Sequence, residues 1–122
     1  MNAVILVVDD ERDLAATCER LLRRSGWRVV VVGSRDAALS ALAGTRPALA
    51  VVDRQLPDGD GLDVLRAARA QDTPVIVISG HTSASNRERT LEEGAAAFLG
   101  KPFSARDFLA LVHTVAGDPP GA

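Results

Sequence analysis

Val4-Ile5-Leu6-Val7-Val8-Asp9-Asp10-Glu11 is an uninterrupted apolar run that stops on three acids. Five consecutive aliphatic residues leave no polar face, the pattern of a strand covered on both sides. Doubly covered strands belong to parallel sheets joined by helices, so the stretch predicts an α/β fold. Runs of the same kind recur at Val29–Val32, Leu49–Val52 and Val75–Ile78, with a fainter one at Ala95–Leu99.

The intervening segments carry helical spacing. Leu14, Cys18, Leu21 and Leu22 fall on one face of a helix, and Phe108, Leu111, Val112 and Val115 repeat the logic near the end. Ser34 is placed to cap the second helix, and Ser104 with Asp107 three residues on resembles a capping box. Gly26, Gly44 and Gly94 stand where helices are expected to stop. Five β-α units follow. They predict a parallel sheet with helices on both faces, right-handed crossovers and a binding crevice at the carboxyl ends of the strands.

Composition narrows the function classes. A chain of 122 residues, 47% hydrophobic and 25% charged, fits one domain with a buried core. A net charge of −2 lacks the basic excess of a phosphate-tracking protein, so direct nucleic-acid binding is not expected. Cys18 stands alone, which excludes a disulfide framework or a thiolate metal site and makes the reducing cytoplasm the expected setting. The apolar run Ala3 to Val8 is too short for a signal-peptide core or a membrane span. Gly117, Asp118, Pro119, Pro120 and Gly121 read as a helix-ending tail, which sets a domain at 1–117 and a linker-like segment at 118–122 leading towards a further domain.

The chemistry-bearing residues sit at the strand ends. The first strand ends at Asp9 and Asp10 and the third at Asp53, so three carboxylates converge on one crevice. Clustered carboxylates repel one another and are costly to desolvate; a hard cation such as Mg²⁺ resolves both costs. Taken by themselves, Asp9 and Asp10 are better explained as helix-capping acids. The fourth strand ends in Ser79-Gly80, bringing a hydroxyl to the crevice, and the fifth is followed by Lys101-Pro102-Phe103, bringing an ammonium. Each item has an ordinary reading as a turn residue or a solubilising charge. Their conjunction, in that order along the chain, does not.

At this point the chain resembles a response-regulator receiver (CheY-like) domain of bacterial two-component signalling. The resemblance runs from Val4 to about Val115 and rests on Val7–Glu11 (VVDDE), the Asp53–Gly61 loop (DRQLPDGDG), Val75–Gly80 (VIVISG) and Gly94–Phe103 (GAAAFLGKPF). It implies a flavodoxin-like sheet of order 2-1-3-4-5 with five helices. It further implies Asp53 as phosphoacceptor, Asp10 as direct Mg²⁺ ligand, Asp9 acting mainly through metal-bound water, and the carbonyl of Gln55 completing the metal shell. Ser79 and Lys101 would contact the phosphoryl oxygens, Ser79 and Phe98 would form the switch, and Lys101-Pro102 would be a cis peptide. Gln55 and His81 would tune the lifetime of the acyl phosphate. The implied partner is a sensor histidine kinase or phosphotransfer protein, with an attached output domain and a phosphorylation-dependent homodimer as further partners. The surface that changes would be helix 4, strand 5 and helix 5; helix 4, expected over about 83–93, offers only Ala84 and Leu91 as apolar anchors. Leu56, Gly59 and Ser79 depart from the commonest residues of the family without removing a functional group.

Two other classes are weighed. A haloacid-dehalogenase-type phosphatase also uses an Asp nucleophile with Mg²⁺, but it needs a second Asp two residues later, where this chain has Glu11 or Gln55. A flavodoxin-like carrier needs a phosphate loop after the first strand, where Asp9-Asp10-Glu11 would repel phosphate. Asp58-Gly59-Asp60-Gly61 faintly resembles a calcium loop, but Leu56 would occupy a ligand position, so it is read as a turn. His81 reads as a crevice-rim residue, and His113 and Trp27 as partly buried structural residues without chemical partners.

Overall fold

A computed structural model describes residues 4–120. Five strands, β1 (Val4–Val8), β2 (Arg28–Val32), β3 (Leu49–Asp53), β4 (Val75–Ser79) and β5 (Ala97–Gly100), form one parallel sheet in the order 2-1-3-4-5. Five helices alternate with them: α1 (Arg12–Arg24), α2 (Arg35–Thr45), α3 (Gly61–Ala70), α4 (Ala84–Glu92) and α5 (Ala105–Ala116). The order reverses between β1 and β3, so both strands end at the switch point where doubly wound sheets bind ligands.

The strands split the core into two layers by simple alternation. Ile5, Val7, Leu49, Val51, Ile76 and Ile78 face one way and pack with Cys18, Leu22, Trp27, Phe108 and Val112 of the α1/α5 side. Leu6, Val8, Ala50, Val52, Val75 and Val77 face the other way, against Ala38, Leu42, Leu62, Leu65 and Phe98. Every residue of β3 and β4 is buried, which is why these stretches read as continuous apolar runs.

The caps explain where the helices begin. Ser34 Oγ accepts from Ala37 N and Ser104 Oγ from Asp107 N, each satisfying a first-turn amide. Gly26 (φ +106°) and Gly94 (φ +105°) supply the left-handed backbone just beyond α1 and α4. Gly44 does not do so: it lies inside α2, which continues to Thr45 and turns out at Arg46 with φ +43°. Asp9 and Asp10 do not cap α1 either. Glu11 holds the N-cap position, and the Asp9 carboxylate takes the Glu11 N–H at 2.8 Å. Both acids are therefore left facing the crevice.

Helix α4 departs from its expected anchoring. Ala84 is exposed and Leu91 is 37% exposed; the one buried residue of the helix is Thr90, a polar one. Trp27 is buried in the α1/α5 layer, at 5% exposure, more deeply than expected. His113 is exposed and lies 3.2 Å from Asp118, so it has a partner that its sequence context did not suggest. The Asp58–Gly61 turn includes a small antiparallel ladder, with Gln55–Leu56 paired to Gly59–Asp60, after which Asp60 caps α3 by accepting from Leu62 N. Of the tail, Gly121 and Ala122 lie outside the described residues.

Candidate functional site

Asp53 is the last residue of the central strand β3 and is 5% exposed. Two contacts fix its carboxylate: Oδ1 accepts from Gln55 N at 2.9 Å, and Oδ2 accepts from Lys101 Nζ at 2.8 Å. The approach behind it is tight. A Cβ on Gly61 would lie 2.3 Å from the Asp53 carbonyl oxygen, so only glycine lets α3 start this close to the strand end.

Asp9, at the end of the neighbouring strand β1, is 6% exposed. One carboxylate oxygen from each of Asp9, Asp10 and Asp53 lies within 4.8 Å of the other two, a grouping that can hold a metal ion; Asp10 contributes from an exposed position. Burial pushes the Asp9 carboxyl up to about 6, helped by the charges of Asp53 and Glu11 and opposed by the Glu11 N–H and the Lys101 ammonium. This carboxyl is short of positive charge.

Lys101 follows β5 and is joined to Pro102 by a cis peptide bond. Its backbone N–H is held by Ser79 O at 2.8 Å, which sets the start of the side chain. Its ammonium reaches three acids: Glu11 at 2.7 Å, Asp53 at 2.8 Å and Asp9 at 3.8 Å. Burial alone would lower its pKa, but the hydrogen bonds to Asp53 and Glu11 and the charges of Asp9 and Asp53 outweigh that, so it stays protonated well above the ordinary lysine range. One ammonium thus faces four carboxylates, counting Asp10. The excess of oxygen donors fits a divalent cation such as Mg²⁺, which prefers carboxylates and water.

Ser79 ends β4 and is completely buried. Its Oγ accepts from His81 N at 3.0 Å. The strand register sets Asp53 opposite Ile78, one residue short of Ser79. Phe98 lies opposite Val77 on β5, with its ring buried in the α2/α3 layer. Gln55 and His81, both exposed, line a cleft of about 390 Å³ whose walls also include Arg54 and Asn86. A Cβ on Gly80 would meet no protein atom within 4 Å, so no contact within the protein demands glycine there.

Residues 5–113 match the family model described as the response regulator receiver domain. The chain belongs to that family. This receiver domain is 40% identical over 113 residues to the transcriptional regulatory protein PrrA of Mycobacterium tuberculosis, covering 91% of the chain and 48% of PrrA. It is 35% identical over 114 residues to the DNA-binding response regulator MtrA of the same organism, covering 93% of the chain and 50% of MtrA. The chain therefore spans about half the length of these curated relatives. Among solved structures, the signal receiver domain of a LuxO repressor protein from Vibrio parahaemolyticus superposes with a TM-score of 0.88 at 25% identity, covering 95% of this chain and 91% of that one. The receiver domain is a signalling module of two-component response regulators, and the family match does not favour the phosphatase or the flavin carrier.

The geometry adds residues that motif reading passed over. Glu11 holds the Lys101 ammonium. Asp58 reaches from the β3–α3 turn to the start of α2, where its carboxylate accepts from Arg35 N at 2.7 Å and Asp36 N at 3.1 Å. Those two amides, the first more than the second, hold the Asp58 carboxyl below the ordinary carboxylate range. Arg54 joins the residue next to Asp53 to α4 through Asn86 and Thr90. Only Glu11 had a signal in the sequence, its place directly after Asp10; the others depend on which loops the fold brings together.

Proposed function

We propose that the domain accepts a phosphoryl group on Asp53 from a sensor histidine kinase or phosphotransfer protein, with Mg²⁺ bound by Asp9, Asp10, Asp53 and the carbonyl of Gln55. The observation that carries this reading is the buried Asp53 carboxylate, held 2.8 Å from the Lys101 ammonium inside a cluster of acids. Bound Mg²⁺ would supply positive charge for the transferring phosphoryl oxygens and relieve the repulsion among the acids.

The protein's own groups account for the rest. A carboxylate oxygen of Asp53 attacks phosphorus in line; its P–O bond forms as the donor P–N bond breaks, and the imidazole leaves with the electron pair. Lys101 moves from carboxylate to phosphoryl oxygen without changing protonation, since its pKa is held high. Ser79 already accepts a hydrogen bond from His81, which leaves its hydroxyl hydrogen to donate to a phosphoryl oxygen. The donor has an apolar approach beside Lys101, a recess of about 400 Å³ lined by Leu14, Pro102 and Phe103.

Movement of Ser79 towards the phosphoryl group would free space for Phe98 to turn, altering the α4–β5–α5 face, the surface on which a homodimer would form. Gln55 and His81 flank the cleft beside the acyl phosphate and would set its rate of hydrolysis. The named relatives are transcriptional or DNA-binding regulators about twice this length, which supports a covalently attached output domain beyond residues 118–122; we take the domain itself as 1–117, working in the cytoplasm.

Beryllofluoride with Mg²⁺, read by NMR, tests the switch. Shifts at Asp53, Ser79, Lys101 and Phe98 and across α4 and β5 are expected in the wild type and not in Asp53→Asn. The same shifts in both proteins would overturn the assignment.

A further inference from the structure

Arg54 occupies an unusual position for a charge. It sits between Asp53 and Gln55, its N–H is tied to Ile78 O at 2.9 Å, and its carbonyl accepts from Gly61 N at 2.8 Å, so its main chain is fixed to both β4 and the start of α3. Its side chain is only 14% exposed. The guanidinium donates from Nε to Asp60 Oδ1 at 2.9 Å, and from Nη1 to Asn86 Oδ1 at 2.5 Å and Thr90 Oγ1 at 3.2 Å.

Beyond these bonds, α4 is held at its C-cap by solvent-exposed polar contacts, Arg66 with the Glu93 carboxylate at 3.3 Å and Arg69 with the Glu93 carbonyl at 3.2 Å. Thr90 is its one buried residue, and Leu91 is 37% exposed. Helices normally stay in place through an apolar face, and α4 lacks one. Charge-assisted bonds from a largely desolvated guanidinium are the strongest contacts it makes.

The contacts also continue back to the phosphorylation site. Asn86 Nδ2 donates to His81 O at 2.5 Å, and His81 N donates to Ser79 Oγ at 3.0 Å. A path of hydrogen bonds therefore runs from the Ser79 hydroxyl through the His81 residue to Asn86, and from Asn86 to Arg54.

We infer that Arg54 is a positioning residue that latches α4 in its resting place and couples it to the Ser79 hydroxyl. The coupling half of this inference rests on the phosphorylation reading given above; the latch half does not. When Ser79 turns to a phosphoryl oxygen, its bond to His81 N weakens, the His81 carbonyl shifts under Asn86, and the shared grip of Arg54 on Asn86 and Thr90 loosens. Helix α4 is then released as a unit, because its remaining polar contacts, at Glu93, are solvent-exposed.

Amide hydrogen exchange on the whole chain tests both halves. In the unmodified protein, Arg54→Met and Asn86→Ala should each speed exchange across residues 84–92 by about tenfold or more, with β3 and β4 amides unchanged, and the double variant should add little to either single one. Exchange in α4 within about twofold of wild type in both variants would overturn the latch, as would equal acceleration of α4 and the central strands. Beryllofluoride with Mg²⁺ should then speed α4 exchange in the wild type and change it little in Arg54→Met, while Asp53 of that variant still accepts label from acetyl phosphate. A full beryllofluoride response of α4 in Arg54→Met would refute the coupling. Failure of the wild type to bind beryllofluoride would instead sink the phosphorylation reading and leave the resting-state contrast standing.

Discussion

At the scale of single residues, the site is a balance between one ammonium and several carboxylates. Lys101 stands 2.8 Å from Asp53 and 2.7 Å from Glu11, leaving Asp9 less well served at 3.8 Å in a buried setting. The Asp9 carboxyl, at about 6 in the fold against an ordinary 3.8, therefore keeps its proton in the folded chain at pH values where the unfolded chain has lost it. Its contribution to the stability of the metal-free protein is greatest below its ordinary pKa and is lost as the pH rises towards 6. The same proton competes with a cation. Calorimetric titration should show Mg²⁺ binding several-fold more weakly at about pH 5 than at about pH 7.5, and stability gained from Mg²⁺ growing over the same window. An affinity that does not change with pH would contradict the assignment of Asp9 to the metal site.

At the scale of elements, the β3–α3 turn does three jobs within nine residues. It presents Asp53, caps α2 through Asp58, and grips α4 through Arg54. Gly61 makes the turn close enough to do so, because the protein leaves no room for a Cβ beside the Asp53 carbonyl. Gly61→Ala should cost about 1–3 kcal/mol in denaturant unfolding and slow labelling of Asp53, since the turn must open where the carboxylate is held. A variant as stable and as quickly labelled as wild type would show that the close approach is unimportant.

The strands and most helix starts were legible here because burial on both faces and serine caps leave local marks: Val4–Val8 and Val75–Ile78 announce themselves, as do Ser34 and Ser104. Gly44 misled because a glycine can sit inside a helix whose end is set by backbone geometry at Arg46. The anchoring of α4 by Thr90, and the reach of Arg54 and Asp58, could not be read, since each joins segments more than twenty residues apart.

At the scale of the whole molecule, the site depends on a rigid sheet with a loosely held rim. Two apolar layers clamp β1, β3 and β4, whose ends carry Asp9, Asp53 and Ser79, while α4 at the rim relies on polar contacts. Truncating the fully buried Phe108 empties space in the α1/α5 layer, and Phe108→Ala should cost about 3–5 kcal/mol in global unfolding followed by the buried Trp27. A loss well under 1 kcal/mol would mean that this layer does not bear on stability as its burial indicates. The acidic crevice lies at the switch point of the sheet, so the rigid part of the molecule positions Asp53, and the loosely held α4 lies at its rim.

The central claim is that Asp53 takes the phosphoryl group. Incubation with Mg²⁺ and acetyl phosphate, followed by intact mass measurement and peptide mapping, tests it most directly. One phosphoryl group on the peptide containing Asp53, labile as an acyl phosphate and missing in Asp53→Asn, is the expected result; equal labelling of Asp53→Asn would contradict it.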